Sequence, residues 1–151
     1  MSEHINKRHN VSLLMYHIVC PAKYRRVVFW DYVDVVLKEV CLWISDRYEI
    51  MFLEIWTDKD HVHFLVQSVP MYSAKKIVQI VKSITAREIF SRCPDVKKQL
   101  RWAQFWTNWY YINTVSAYNS ESEVMKYIQW QGNAKEYNML HKVWYKQARL
   151  F

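Results

Sequence analysis

With 151 residues the chain is long enough for one domain with its own core and short for two. Hydrophobic residues make up 52% of it and aromatics 17%, which argues for a packed globule and against a disordered chain. Lysine and arginine total 21 against 14 acidic residues, a formal charge of +7, so the surface field should draw in a polyanion.

No run approaches the roughly 20 apolar residues of a membrane helix, and MSEHINKRHN carries no apolar signal region, so a cytoplasmic protein with no membrane partner is expected. Cys20, Cys41 and Cys93 are odd in number and widely spaced, which suits reduced thiols, with Cys41 read as core. Eight Trp and eleven Tyr sit among the bases, as stacking on unpaired nucleobases requires. A soluble cation with an aromatic core explains the same composition.

In chain order, His9 to Val19 (HNVSLLMYHIV) reads as a first strand stopped by Cys20-Pro21. Lys23, Tyr24, Arg25 and Arg26 follow in a loop or strand edge whose composition suits phosphate and base contact, or simply a solvated basic loop. From Asp31 to Tyr48 the spacing turns helical, with Val33, Val36, Leu37, Val40, Cys41, Ile44 and Tyr48 in one stripe and Asp31 as N-cap. Ile50 to Trp56 and His61 to Gln67 read as a strand hairpin turning at Asp58-Lys59-Asp60.

Ser73 caps a predicted helix to about Phe90, with Ile77, Ile80, Val81 and Ile84 buried. Lys75, Gln79 and Lys82 share the opposite face, with Arg87 to one side, a basic surface that can track phosphates or merely meet solvent. Cys93-Pro94 ends that helix, and the stretch Asp95 to Gln104 reads as a basic connection or a short helix. Trp109 to Val115 reads as a fourth strand. Ser120 and Glu123 form a capping box for a last major helix, Glu121 to about Gln131, which Gly132 would end. The first six elements spell βαββαβ, an α+β ferredoxin-like antiparallel sheet, with this helix appended at the C-terminal side.

The chemistry concentrates in TDKDHVHFLVQ, Thr57 to Gln67. Strand alternation puts His61 and His63 on one face and Val62, Phe64 and Val66 on the other, so one face packs on a core while the other can hold a metal or meet solvent. On the last helix Tyr127 and Gln131 lie one turn apart on the same face with Val124 and Ile128, which a core tyrosine and a glutamine at the end of an amphipathic helix would also explain. Together these supply two nitrogen ligands, an amide oxygen and a phenol able to attack a phosphodiester.

With those motifs the chain resembles the TnpA-type, single-tyrosine HUH transposases of small insertion sequences. The likeness runs from Tyr16-His17-Ile18-Val19-Cys20-Pro21-Ala22-Lys23-Tyr24-Arg25-Arg26 through Asp60-His61-Val62-His63-Phe64-Leu65-Val66 to Tyr127-Ile128-Gln129-Trp130-Gln131. Lys82-Ser83-Ile84-Thr85-Ala86-Arg87 resembles the family's helix segment, and Trp106 with Trp109 to Val115 its fourth strand.

The resemblance implies that His61, His63 and Gln131 hold Mg2+ or Mn2+ and that Tyr127 is the nucleophile. It further implies cleavage and rejoining of single-stranded DNA at hairpin-marked element ends through a 5′-phosphotyrosine. The working form would be a homodimer whose composite sites join the His pair of one subunit to the tyrosine helix of the other. Lys23, Tyr24, Arg25, Arg26, Lys75, Lys82 and Arg87 are the candidate DNA contacts. On this reading residues 1–151 form one domain: an arm at 1–8, a core at 9–117, a tyrosine helix at 120–132 and a basic tail at 133–151.

Ser83, Ser116 and Lys59 depart from the family's usual glycine, glycine and proline at those places, which bears on DNA geometry rather than on the ligands. Other readings are a relative acting on chromosomal repeat hairpins, a metal-dependent hydrolase, and a ferredoxin-like module that binds single strands without reaction.

Overall fold

A computed structural model describes residues 4–115, which fall within a single compact unit. A small hairpin of β1 (Ile5–Asn6) and β2 (Val11–Ser12) precedes a four-stranded antiparallel sheet. That sheet contains β3 (Leu14–Pro21), β4 (Ile50–Thr57), β5 (His61–Ser68) and β6 (Tyr111–Val115) in the spatial order β4-β5-β3-β6. Between them run α1 (Asp31–Arg47), α2 (Ala74–Arg92) and the short α3 (Pro94–Gln99). Strand–helix–strand–strand–helix–strand with the first and third main strands central is the ferredoxin-like arrangement expected from the sequence. The appended tyrosine helix lies outside the described residues.

Both long helices cover one face of the sheet. Val33, Leu37, Val40, Cys41 and Ile44 of α1 and Ile77, Val81, Ile84 and Ile89 of α2 close over Ile18, Cys20, Val62, Phe64 and Val66, all buried. Spacings of three and four along each helix put these side chains in one stripe, and burial of that stripe is what holds helix on sheet. Ser73 caps α2 by accepting from the Lys76 amide at 3.1 Å, as expected.

Four boundaries differ from the sequence reading. The first strand is broken: β2 pairs back with β1, and only Leu14 onward enters the main sheet. It then runs through Cys20 to Pro21, because a proline at a strand end loses no ladder bond that matters, and its carbonyl accepts from the Thr107 amide at 3.0 Å. Asp31 is the first residue of α1 rather than its cap; Trp30 holds the cap position, and Asp31 and Asp34 sit in the positive first turn. The fourth strand starts at Tyr111, since Thr107 and Trp109 close a turn before it.

Candidate active site

Register decides which side chains meet on the face away from the helices. Val19 pairs with His63, His17 with Leu65 and Pro21 with His61 across β3 and β5, while His17 pairs with Asn113 and Val19 with Tyr111 across β3 and β6. Directly paired residues share a face, so His61, His63, His17, Tyr111 and Asn113 all project from the same side of the sheet. Sequence alternation placed His61 and His63 together; the structure adds that both are buried, at 2% and 1% exposure, with His17 at 2%.

His61 and His63 have ring centroids 5.0 Å apart with planes at 68°. Asp60 Oδ1 lies 2.7 Å from His61 Nδ1, and His17 Nε2 lies 3.0 Å from His63 Nδ1. Each member of the pair is thus engaged at Nδ1, which makes Nε2 the nitrogen with which it would meet a cation. Two imidazoles are a partial ligand set. Among the described residues no group of three or more His, Cys, Asp or Glu side chains could hold a metal ion. Gln131 and Tyr127 lie outside the described residues. Nitrogen donors suit Mn2+ better than the harder Mg2+.

Asp60 is itself held. Its Oδ2 accepts from Arg25 Nε at 2.9 Å, and its backbone carbonyl accepts from the Ala22 amide at 2.8 Å. Partial burial pushes its carboxyl up, but the hydrogen bonds to His61 and Arg25 and the charges of both outweigh that, leaving it below the usual carboxylate range. The turn before β5 is also pinned by Lys59, whose carbonyl accepts from the Val28 and Phe29 amides. Burial pushes His17 down to about 4 against an opposing hydrogen bond with Asn113, so its ring is neutral at neutral pH. Burial also raises the Tyr111 phenol, which works against its serving as a nucleophile.

The candidate DNA contacts fall into two places. Lys23, Tyr24 and Arg25 form a 3-10 turn in which Tyr24 and Arg25 take left-handed backbone angles, φ 58° and 51°. Non-glycine residues pay for that conformation, and here it displays a 65% exposed Tyr24 ring with the Lys23 ammonium over it. Arg26 follows, half-buried. A second such pair, Arg101 and Trp102 at φ 53° and 65°, presents a 70% exposed indole beside Lys97. The two segments are neighbours: the Lys23 amide donates to the Phe105 carbonyl and Gln99 Nε2 to the Val27 carbonyl.

On the helix layer, a cavity of about 630 Å³ between α2 and residues 104–110 is lined by Lys75, Gln79, Lys82, Ser83, Trp106 and Tyr110 among others. Lys82 is not on an outer face as its spacing suggested. It is half-buried, donating to the Thr107 carbonyl at 2.6 Å and lying over the Tyr110 ring, because α2 is wrapped by the 104–110 segment. Arg87 is exposed and ion-paired to Glu88 at 3.8 Å, outside that cavity.

Sequence reasoning read Asp60 only as a turn residue and gave no chemical role to it, to His17 or to Trp102. Asp60 was legible as the residue before His61, whereas His17 needed the strand register. The three cysteines are free and buried, and burial pushes Cys20 up to about 12. Among the described residues no helix is long and apolar enough to cross a membrane.

Residues 10–131 match the family described as Transposase IS200 like. The chain is similar to the ISDra2 transposase TnpA of Deinococcus radiodurans, 31% identical over 121 residues that cover 80% of this chain and 86% of that one. It is also similar to the transposase for insertion sequence element IS200 of Salmonella typhimurium, 29% identical over 120 residues covering 77% and 75% of the two chains. The crystal structure of a Deinococcus radiodurans R1 protein described as a transposase superposes with a TM-score of 0.68 at 28% identity, covering 84% of this chain and 97% of that one.

Proposed function

The chain belongs to the IS200-like transposase family, and from that premise we propose that it cuts and rejoins single-stranded DNA through Tyr127 with a divalent cation held by His61, His63 and Gln131. The observation that carries this reading is the buried pair His61 and His63, each engaged at Nδ1 by a neighbour, which leaves Nε2 as the nitrogen that would ligate a cation. Charge neutralisation at the phosphate is what the bound ion supplies.

The chain's own groups supply the rest. The Tyr127 oxygen attacks the phosphorus, the bond to the 3′ oxygen breaks, and that oxygen leaves as a 3′-hydroxyl after taking a proton, which yields a 5′-phosphotyrosine. Because the phosphodiester energy is kept in the protein–DNA bond, a second 3′-hydroxyl can displace the tyrosine and join strands without a nucleotide cofactor. One nucleophilic tyrosine per chain and two ends to join favour a homodimer with composite sites.

DNA hairpins at the element ends are the substrate class of this reading. Lys23, Arg25 and Arg26 would meet phosphates, while Tyr24 and Trp102 offer flat, exposed rings for unpaired bases. On α2, Lys75 and Arg87 are exposed cations for the same strand, and Lys82, half-buried against residues 104–110, would meet it only within the cavity that it shares with Lys75. Incubation of the full chain with a labelled hairpin strand from the gene's own flank and Mn2+ tests the proposal on a denaturing gel. A label travelling with the protein supports it; cleavage without adduct indicates a hydrolase, and binding alone a non-catalytic module.

A further inference from the structure

We infer that His17 is a positioning residue for the reaction: from the central strand β3 it accepts the Nδ1 proton of His63 and thereby keeps His63 Nε2 deprotonated and aimed for a cation. The inference rests on the proposed metal role of His63 and names the residue on which that role depends.

The geometry is specific. His17 and His63 have ring planes within 11° of parallel and centroids 5.2 Å apart, with His17 Nε2 3.0 Å from His63 Nδ1. Parallel rings that are so far apart at their centres and so close at two nitrogens lie edge to edge, sharing one in-plane hydrogen bond rather than a face-to-face stack. One proton occupies that contact. If it sits on His17, the neutral His63 carries its own proton at Nε2 and has no lone pair there for a metal. If it sits on His63 Nδ1, Nε2 has a lone pair to give.

The next residue along the same row bears on that choice. Asn113 is the direct partner of His17 across β3 and β6, and its side chain hydrogen-bonds the His17 ring. The Asn113 amide nitrogen donates one proton to the Thr114 carbonyl at 3.1 Å, and its side-chain oxygen is the acceptor it offers a ring N–H. With His17 Nε2 turned to His63, a proton on the other His17 nitrogen leaves Nε2 to accept from His63. The relay Asn113, His17, His63 crosses three adjacent strands, β6, β3 and β5, so the sheet register brings the three side chains into one row. Asp60 does the equivalent for His61 with a carboxylate. The two ligands are thus held by chemically different neighbours, one charged and half-buried, one neutral and buried.

The test uses the full chain, wild type beside His17→Phe, His17→Gln and His63→Ala. His17→Phe keeps a flat ring of similar size and loses the acceptor; His17→Gln restores an oxygen acceptor. Long-range proton–nitrogen NMR without metal should show wild-type His63 protonated at Nδ1, and a mixture of tautomers in His17→Phe. Free Mn2+ measured by electron paramagnetic resonance should show about 10- to 100-fold weaker binding in His17→Phe, with His17→Gln recovering most of the loss. Thermal melts identify any variant that has lost its fold, and the wild-type tautomer alone decides the case should both variants unfold.

Unchanged tautomer and Mn2+ affinity in a folded His17→Phe would overturn the inference while leaving the metal reading intact. So would a wild-type His63 protonated at Nε2. Equal Mn2+ binding by wild type and His63→Ala would instead remove the metal reading, and the role of His17 with it.

Discussion

Two side chains separate the competing chemistries at the smallest scale. Tyr111 shares the histidine face, its ring 6.2 Å from that of His17, and burial holds its phenol protonated. Tyr127→Phe should therefore abolish the covalent DNA adduct, and Tyr111→Phe should leave it within about threefold of wild type by gel densitometry; the reverse pattern would reassign the nucleophile. Asp60 gives a pH signature. Its folded pKa lies below the unfolded value of about 3.9, so its contribution to stability is complete above that value and is lost as pH falls through the folded pKa. Urea titrations should find Asp60→Asn less stable than wild type by on the order of 1 kcal/mol at pH 7, a modest figure because the site is partly solvated, with the gap closing below about pH 4. A gap that widened in acid would contradict the assignment. His61 and His63 were legible in the sequence because a spacing of two in a strand fixes a shared face. His17 was not, since a lone histidine in the apolar run LMYHIVC gains its meaning only from the residue opposite it.

Helices and strands announced themselves wherever one face is buried and the other is not. α1 and α2 follow their apolar stripes, and Ser73→Ala should lower stability by about 1 kcal/mol in denaturant, the cost of an N-cap bond; no change would mean the cap is solvent-compensated. The two left-handed pairs gave no such signal. The chain has a single glycine, and neither Tyr24-Arg25 nor Arg101-Trp102 carries the residue types that usually mark a positive φ. Strain kept at exposed aromatic tips points to use rather than packing. Tyr24→Gly should thus keep or raise thermal stability while weakening binding of an unpaired oligonucleotide by about 1–3 kcal/mol, the worth of one base stack in fluorescence titrations. Equal losses of stability and affinity would mark Tyr24 as structural. β6 was misplaced by two residues because tryptophan and tyrosine suit strands and turns alike, and only the bridge from Ala22 to Trp106 shows where the chain is already tied down.

For the molecule as a whole, the order of elements was enough to give the sheet topology, because βαββαβ connectivity admits few ways of burying both helices on one face. The charge of +7 carries a quantitative expectation. Every phosphate that a side chain neutralises should steepen the dependence of log affinity on log salt by roughly 0.7 for a single strand, so replacing the exposed Lys75 by Ala should flatten that slope by about this amount. An unaltered slope would remove Lys75 from the DNA path. Subunit cooperation is tested by mixing: if sites are composite, His63→Ala and Tyr127→Phe, each inactive alone, should together regain part of the adduct. The most direct measurement of all is the fate of a 5′-labelled and a 3′-labelled hairpin strand incubated with the wild-type chain and Mn2+, run on denaturing gels with and without chelator. Only the strand carrying its label 3′ of the cut should shift to the mass of a protein–DNA conjugate, and chelator, His61→Ala or Tyr127→Phe should each remove the shift. A conjugate that survives chelator and Tyr127→Phe alike would contradict a cation-assisted tyrosine attack.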